Sequence, residues 1–286
     1  MTNPAPPAVA WITGASGGIG LATAERLADA GMRLVLHAGR RPDGADTLAR
    51  RFGPLAEIYV AEITDADAHR AALDRAVARF GRIDVCVPNA GIWPHEDRPL
   101  VDMPTERIRR VLSTNLEGAL VTARTFLECL RRCGPRCDGR GASLCFVGST
   151  AGRFGEPYHV AYAASKGALR AIVGSLAREI VDLDPRGRVN MVEPGWTATP
   201  MAAAGLGDDD AVRRAVATMP LARVARPEDV AHAIAFLCDL DRAAHVTGEI
   251  LTVAGGMQGR LVRAPSDVDP AAIRGEATKT PTSRSS

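Results

Sequence analysis

Apolar residues follow two alternating rhythms along the chain. Short runs rich in branched or apolar side chains fall near 9–13 (VAWIT), 33–38 (RLVLHA), 56–61 (AEIYVA), 83–88 (IDVCVP), 142–148 (ASLCFVG), 188–193 (RVNMVE) and 249–253 (EILTV). Between them lie longer stretches with the period of an amphipathic helix, near 18–30, 44–52, 66–80, 105–132, 158–183 and 227–239. Strands that are apolar nearly throughout belong to a sheet covered on both faces. The alternation therefore predicts an α/β fold, a doubly wound seven-stranded parallel sheet of Rossmann-like type with helices on both faces.

Two stretches depart from this rhythm. Residues 196–217, after Pro194-Gly195, are rich in Ala, Gly and Asp and sit where a mobile insertion over a site would belong. Residues 262–286 lose apolar periodicity and gain Ser, Thr and Pro, so a disordered C-terminal tail is expected there. The organisation is then a short tail over 1–8 and a single domain over 9–261 with a substrate lobe near 196–217.

Composition narrows the function classes. The 286 residues hold 46% hydrophobic side chains, enough for a sizeable core. Lys and Arg number 35 against 33 for Asp and Glu, a net charge of +2 with no basic stripe suited to nucleic acid. The chain start lacks the pattern of a secretory signal, and no apolar run is long enough for a membrane helix, so a cytoplasmic protein with small-molecule partners is expected. Six scattered cysteines make no disulfide framework, and the set Cys129, Cys133 and Cys137 lacks a nearby His, so no metal site is expected.

At the first strand-to-helix junction the chain reads Thr13-Gly14-Ala15-Ser16-Gly17-Gly18-Ile19-Gly20. Glycines there let backbone N–H groups approach a pyrophosphate, which the positive end of the following helix favours. The second strand runs LVLHAGRR, with no carboxylate at its end and with Arg40 and Arg41 beside it. An acidic residue there would bind the ribose hydroxyls of NAD, whereas arginine accommodates the extra phosphate of NADP. NADP(H) is favoured, with NAD(H) as the alternative.

Tyr162 and Lys166 are four residues apart in a helical stretch, which puts phenol and ammonium on one face. A nearby ammonium favours the phenolate, drawing the tyrosine pKa down from about 10. Ser149 follows an apolar strand, at the carboxyl end where parallel sheets place their sites, and is suited to bonding the same substrate oxygen. Taken singly, Ser149 also reads as a strand-end cap and Lys166 as a solvated surface lysine.

In this order TGASGGIG, Asn89-Ala90-Gly91, Asn115, Ser149 and Tyr162/Lys166, joined by Pro194-Gly195, PEDVA at 227–231 and TGE at 247–249, resemble the single-domain short-chain dehydrogenase/reductase family from about residue 9 to 259. The resemblance implies Tyr162 as proton donor or acceptor, Lys166 as its partner and a holder of the nicotinamide ribose, Ser149 as the group orienting the substrate oxygen, and Asn115 as part of a proton route. For the cofactor it implies Gly14, Ser16, Gly18, Ile19 and Gly20 at the phosphates, Glu62 and Ile63 at the adenine, Asn89, Ala90 and Gly91 at the riboses, and Pro194, Gly195, Thr197 and Thr199 near the nicotinamide. Pro88, Glu193 and Ala254 depart from the family pattern, and Gly17 stands where NADP-dependent relatives often carry a basic residue.

Among family members the chain is similar to 3-oxoacyl-thioester reductases. The resemblance implies a small-molecule carbonyl or alcohol substrate and a homotetramer, or a dimer, built on the long helices over 105–132 and 158–183. Trp93, Phe154, Tyr158 and Trp196 are candidate pocket walls, while His95 and His159 read better as ordinary surface or packing residues. A catalytically silent dinucleotide-binding regulator is a competing reading; it would be expected to lack one of Ser149, Tyr162 and Lys166, and all are present.

Overall fold

Val9 and Trp11 of strand β1 (Val9–Ile12) face one side of the sheet and Ala10 and Ile12 the other, and all four are fully buried. A strand with two buried faces needs a helical layer on each, and the chain supplies both. The computed structural model describes residues 6–39, 42–257, 261 and 263–278; Arg40 and Arg41, expected to meet the cofactor, lie outside them.

After β1 come α1 (Gly18–Asp29), β2 (Arg33–Ala38), α2 (Pro42–Phe52), β3 (Ala56–Val60), α3 (Ala66–Phe80), β4 (Val85–Val87), α4 (Thr105–Leu112), α5 (Gly118–Cys133) and β5 (Ser143–Val147). The second part holds α6 (Ala151–Phe154), α7 (Val160–Glu179), β6 (Arg188–Pro194), α8 (Ala203–Gly207), α9 (Asp209–Val216), α10 (Pro227–Cys238), β7 (Ile250–Val253) and α11 (Pro270–Ala277). The seven strands pair in parallel in the order β3-β2-β1-β4-β5-β6-β7, the doubly wound sheet that the sequence predicts.

Trp11, Val35, Leu144, Phe146 and Met191 pack against Leu73 of α3, Phe126 and Leu130 of α5, and Leu169 and Val173 of α7. On the opposite face Ile12, Leu34, Leu36, Val87 and Val192 meet Leu27 of α1, Leu48 of α2, and Val230 and Ile234 of α10. Each fully buried Leu or Phe contributes about 2–3 kcal/mol, so these two layers hold the sheet ends in place. The strand order reverses between β1 and β4, and the crevice at their carboxyl ends is where such sheets bind ligands.

Three stretches differ from expectation. The helix expected over 105–132 is interrupted at Ser113–Glu117 by a π-turn, an insertion that apolar periodicity does not reveal. The stretch 196–217 contains two short helices, α8 and α9, and Asp208 caps the second by accepting from Asp210 N and Ala211 N.

The third is a correction. Within the tail expected to be disordered, Pro265–Asp267 form a 3-10 turn and Pro270–Ala277 a helix capped by Asp269. Val268 and Ile273 are buried among Val212, Val216 and Met219 of the substrate lobe. Arg274 bonds Leu206 O at 3.1 Å and Asp209 Oδ1 at 2.8 Å, and Arg263 donates to Met219 O and Pro220 O at 2.9 Å each. The segment is too polar to fold on its own apolar residues, and it is ordered because it completes a cluster begun at Val212. Among the described residues no helix is long and apolar enough to cross a membrane.

Candidate active site

The turn after β1 is shaped by contacts that only glycine fits. Gly14 has φ +64° and lies against Ala90, and a Cβ on Gly20 would fall 2.2 Å from Gly14 O. Thr13 Oγ1 accepts from Asn89 N at 3.1 Å and Ala90 N at 3.2 Å, while Asn89 Nδ2 donates to Thr13 O at 2.9 Å and Gly14 O at 3.0 Å. The segment after β4 is thereby fastened to the glycine turn. Helix α1 starts behind this turn with no side-chain cap and no acidic residue in its first turn. Its first amides point out of the turn with no capping side chain, which suits an anionic phosphate.

The remaining cofactor candidates gather at the same strand ends. Thr199 covers the turn from the far side, its methyl 3.0 Å from where a Gly18 Cβ would lie. Ser16 lies against Gly44 of α2, and Ile19 packs on the core beneath α1. Glu62 is exposed on the loop after β3, and Ile63 is buried against Gly118, the first residue of α5. Gly195 abuts Ala254, whose Cβ lies 2.7 Å from a hypothetical Gly195 Cβ, so only glycine fits at 195. Thr197 Oγ1 donates to Gly195 O at 3.0 Å and closes that turn.

The four catalytic candidates converge beside this crevice. Asn115 sits in the π-turn, which carries its amide inward: Oδ1 accepts from Ile92 N at 2.7 Å, and Nδ2 donates to Ile92 O at 2.9 Å and Ser165 Oγ at 3.2 Å. Gly91 is wedged between Asn115 and Lys166, since a Cβ there would lie 3.2 Å from Asn115 Oδ1 and 3.5 Å from Lys166 Nζ. Lys166 is buried and donates to Val147 O at 2.9 Å, which ties the middle of α7 to the end of β5. Ser149 accepts from Ala151 N at 3.2 Å, and its hydroxyl borders the Tyr162 phenol. It is both a cap for α6 and a partner of the phenol.

One electrostatic expectation is corrected. Burial pushes the Tyr162 phenol above its ordinary value, Ser149 pulls it partly back, and the Glu156 carboxylate adds to the rise. Lys166 does not lower it; its ammonium is spent on a carbonyl, and burial pushes the lysine itself down to about 8. The helical spacing puts the two groups on one face without making them an ion pair.

Some neighbours were not legible as site residues. His159, expected to be ordinary, is 3% exposed and stacks on Trp93 with ring centroids 4.5 Å apart. Its Nε2 lies 2.9 Å from Asp97 Oδ1, and Arg107 of α4 reaches its Nδ1 at 3.5 Å. With Pro94, Met103, Arg107 and Val111, it lines a small cleft at Tyr162. Tyr158 holds φ +67°, a strained backbone next to the site, and its side chain is exposed. Glu193, a departure from the family pattern, is fully buried and ion-paired with Arg170, one turn beyond Lys166 on α7. The only advance signal for Glu193 was a carboxylate inside an apolar strand; for His159 it was its place three residues before Tyr162.

Comparison with known proteins gives a consistent pattern. A family model described as enoyl-(acyl carrier protein) reductase matches residues 14–258. The chain is 38% identical over 253 residues to cis-4-hydroxycyclohexanecarboxylate dehydrogenase of Sinomonas cyclohexanicum, covering 87% of this chain and 95% of that protein. It is 34% identical over 252 residues to 3-oxoacyl-[acyl-carrier-protein] reductase of Escherichia coli, covering 87% and 96%. Among solved structures, the 3-ketoacyl-(acyl-carrier-protein) reductase of Brucella melitensis complexed with NADH aligns with a TM-score of 0.78 at 29% identity, covering 88% of this chain and 98% of that one.

Proposed function

The chain belongs to the short-chain dehydrogenase/reductase family of oxidoreductases, and on that premise we propose that it interconverts a ketone and a secondary alcohol with NADP(H), using Tyr162 as general acid/base. The observation that carries this reading is the convergence of Ser149, Tyr162, Lys166 and Asn115 at the carboxyl end of the sheet, with Lys166 tied to Val147 O at the end of β5 and Asn115 to Ile92.

The glycine turn with Asn89, Glu62, Ile63 and the Pro194–Thr199 segment would hold the dinucleotide, which when bound supplies or accepts the hydride. The phenol is held protonated by burial, so Tyr162 donates its proton to the substrate oxygen during reduction and takes one back during oxidation. Ser149 offers a second hydrogen bond to the oxygen where charge develops. Asn115 holds the Ile92 peptide, and with it the start of the Trp93 loop, next to Tyr162.

The preference for NADP(H) rests on Arg40 and Arg41 and the absence of a carboxylate at the end of β2; NAD(H) is the alternative, in keeping with the NADH bound to the Brucella relative. A cytoplasmic location, a small-molecule substrate and a homotetramer or dimer belong to the same reading. Its support for self-association is the hollow between α5 and α7, where Leu120, Leu127, Leu176 and Leu183 lie among Arg124, Glu128, Arg131 and Glu179. The deciding assay follows oxidation of NADPH and of NADH with β-ketoacyl thioesters and cyclic ketones. Turnover with either cofactor that persists undiminished in Tyr162→Phe would defeat the mechanism, and equal NADPH affinity in parent, Arg40→Ala and Arg41→Ala would defeat the cofactor assignment.

A further inference from the structure

Beneath the cofactor crevice a polar cluster is buried in otherwise apolar core. His37, near the end of β2, is 2% exposed, and His69, on α3, is fully buried. His37 Nδ1 lies 3.2 Å from Gly14 N, and its Nε2 lies 3.1 Å from Ala61 O. A peptide N–H only donates and a carbonyl only accepts, so the proton of this imidazole sits on Nε2.

A second chain of bonds runs alongside. Trp11 Nε1 donates to Tyr59 OH at 3.0 Å, Tyr59 OH lies 2.9 Å from His69 Nδ1, and His69 Nε2 lies 2.9 Å from Ile63 O. The indole can only donate and the Ile63 carbonyl only accept, so His69 donates from Nε2 and its Nδ1 accepts a hydrogen bond from Tyr59 OH. Burial keeps both imidazoles neutral, pushing His37 down to about 4.

The first chain joins the phosphate turn to the loop after β3, and the second ties that same loop, at Ile63, back to Tyr59 of β3 and Trp11 of β1. Gly14 opens the phosphate turn, while Ala61 and Ile63 flank Glu62 on the loop after β3. At these points the peptide groups have left the strand ladder and need partners elsewhere. Apolar side chains would fill the same space without the cost of burying polar groups. What His37 adds is a fixed length between one peptide N–H and one peptide carbonyl, and what His69 adds is a tie from a second carbonyl to the Tyr59 hydroxyl.

We infer that His37 and His69 are positioning residues for the adenosine-phosphate half of the dinucleotide, His37 holding the phosphate turn and the adenine loop at a set separation and His69 anchoring the adenine loop to the sheet before the cofactor arrives. The inference rests on the dinucleotide reading above, and the two fail separately. Calorimetric titration of the parent with NADPH and NADH tests the reading: a parent that binds neither removes it.

With a binding parent, His37→Phe raises the Kd for the dinucleotide about tenfold, as loss of an orienting group commonly does, and raises the Kd of its adenosine diphosphate fragment by the same factor. At saturating cofactor, kcat stays within about twofold, because the tie acts on binding alone. His37→Asn keeps an acceptor near Gly14 N and recovers part of the loss, with the unfolding midpoint recorded for both variants. Should His37→Phe fail to fold, Tyr59→Phe, which removes only the hydroxyl that fills His69 Nδ1, carries the same expectation. Parental affinity for dinucleotide and fragment in these variants overturns the inference, as does a kcat that falls in step with the unfolding midpoint.

Discussion

Asn115 pairs with both backbone groups of one residue, accepting from Ile92 N at 2.7 Å and donating to Ile92 O at 2.9 Å. Replacing it with Leu leaves a donor and an acceptor without partners in a partly buried place, a cost of about 2–4 kcal/mol. Asn115→Leu should lower the thermal unfolding midpoint and raise the KM for the carbonyl substrate, since the Ile92–Trp93 loop loses its anchor. Calorimetry and steady-state kinetics check this; an unchanged midpoint would show that the loop is held by other bonds.

Tyr162→Phe should lower kcat by roughly 10²–10⁴-fold while dinucleotide affinity stays near the parental value. Ser149→Ala should cost less in rate, about 10²-fold, and also a little stability, because Ser149 accepts from Ala151 N at the start of α6. A Ser149→Ala enzyme as fast as the parent would reduce Ser149 to a cap.

The pH dependence follows from the buried phenol and ammonium. A phenol raised by burial is protonated at neutral pH, so reduction should be efficient there and oxidation should climb as pH rises. An oxidation rate that falls between about pH 7 and 9 would contradict this. Lys166 adds a stability effect with a definite sign. Its folded value of about 8 lies below the ordinary 10.5, so the unfolded chain binds more protons between the two and stability rises with pH across that window. Below the window the burial cost, on the order of 3 kcal/mol, is present in full. Lys166→Met should therefore raise the unfolding midpoint at neutral pH while abolishing turnover.

Two glycines in one turn should behave oppositely. Gly20→Ala drives a methyl to 2.2 Å from Gly14 O, backbone against backbone, so dinucleotide binding should be lost and the midpoint lowered. Gly17 has extended backbone and open space where its Cβ would be, so Gly17→Arg should be stable. Near the phosphates, that arginine should favour NADPH over NADH, which a ratio of KM values would register.

Much of the fold was written in local pattern, since the inner strands β1, β2, β4, β5 and β6 are apolar enough to need cover on both faces. The turn at Gly14–Gly20 and the spacing from Ser149 to Lys166 were equally local. What escaped was whatever depends on two distant segments meeting. The π-turn at Ser113–Glu117 leaves the apolar period nearly intact and shows itself only through the bond from Asn115 to Ile92. His37 reads as one polar residue in an apolar run until Gly14 and Ala61 are brought to either side of it. Lys166 shares a face with Tyr162 as its spacing requires, but Val147 O claims its ammonium, and spacing says nothing of that.

Helix α11 gives a further test of the lobe. Ile273→Asp places a charge among Val212, Val216 and Val268, a change that should cost several kcal/mol locally. Amide exchange over 203–216 should speed up while that of β1 and β5 stays slow. Uniform protection would mean that the lobe stands without its C-terminal cover.

The order of synthesis gives this contact another meaning. The lobe over 196–217 leaves the ribosome well before Val268 and Ile273, so its apolar cluster waits, incomplete, for the end of the chain. Purification tags and shortened expression boundaries act on that same end. A protein trimmed to the length of its relatives would keep Tyr162, Ser149 and Lys166 but lack the residues that brace the wall containing Trp196.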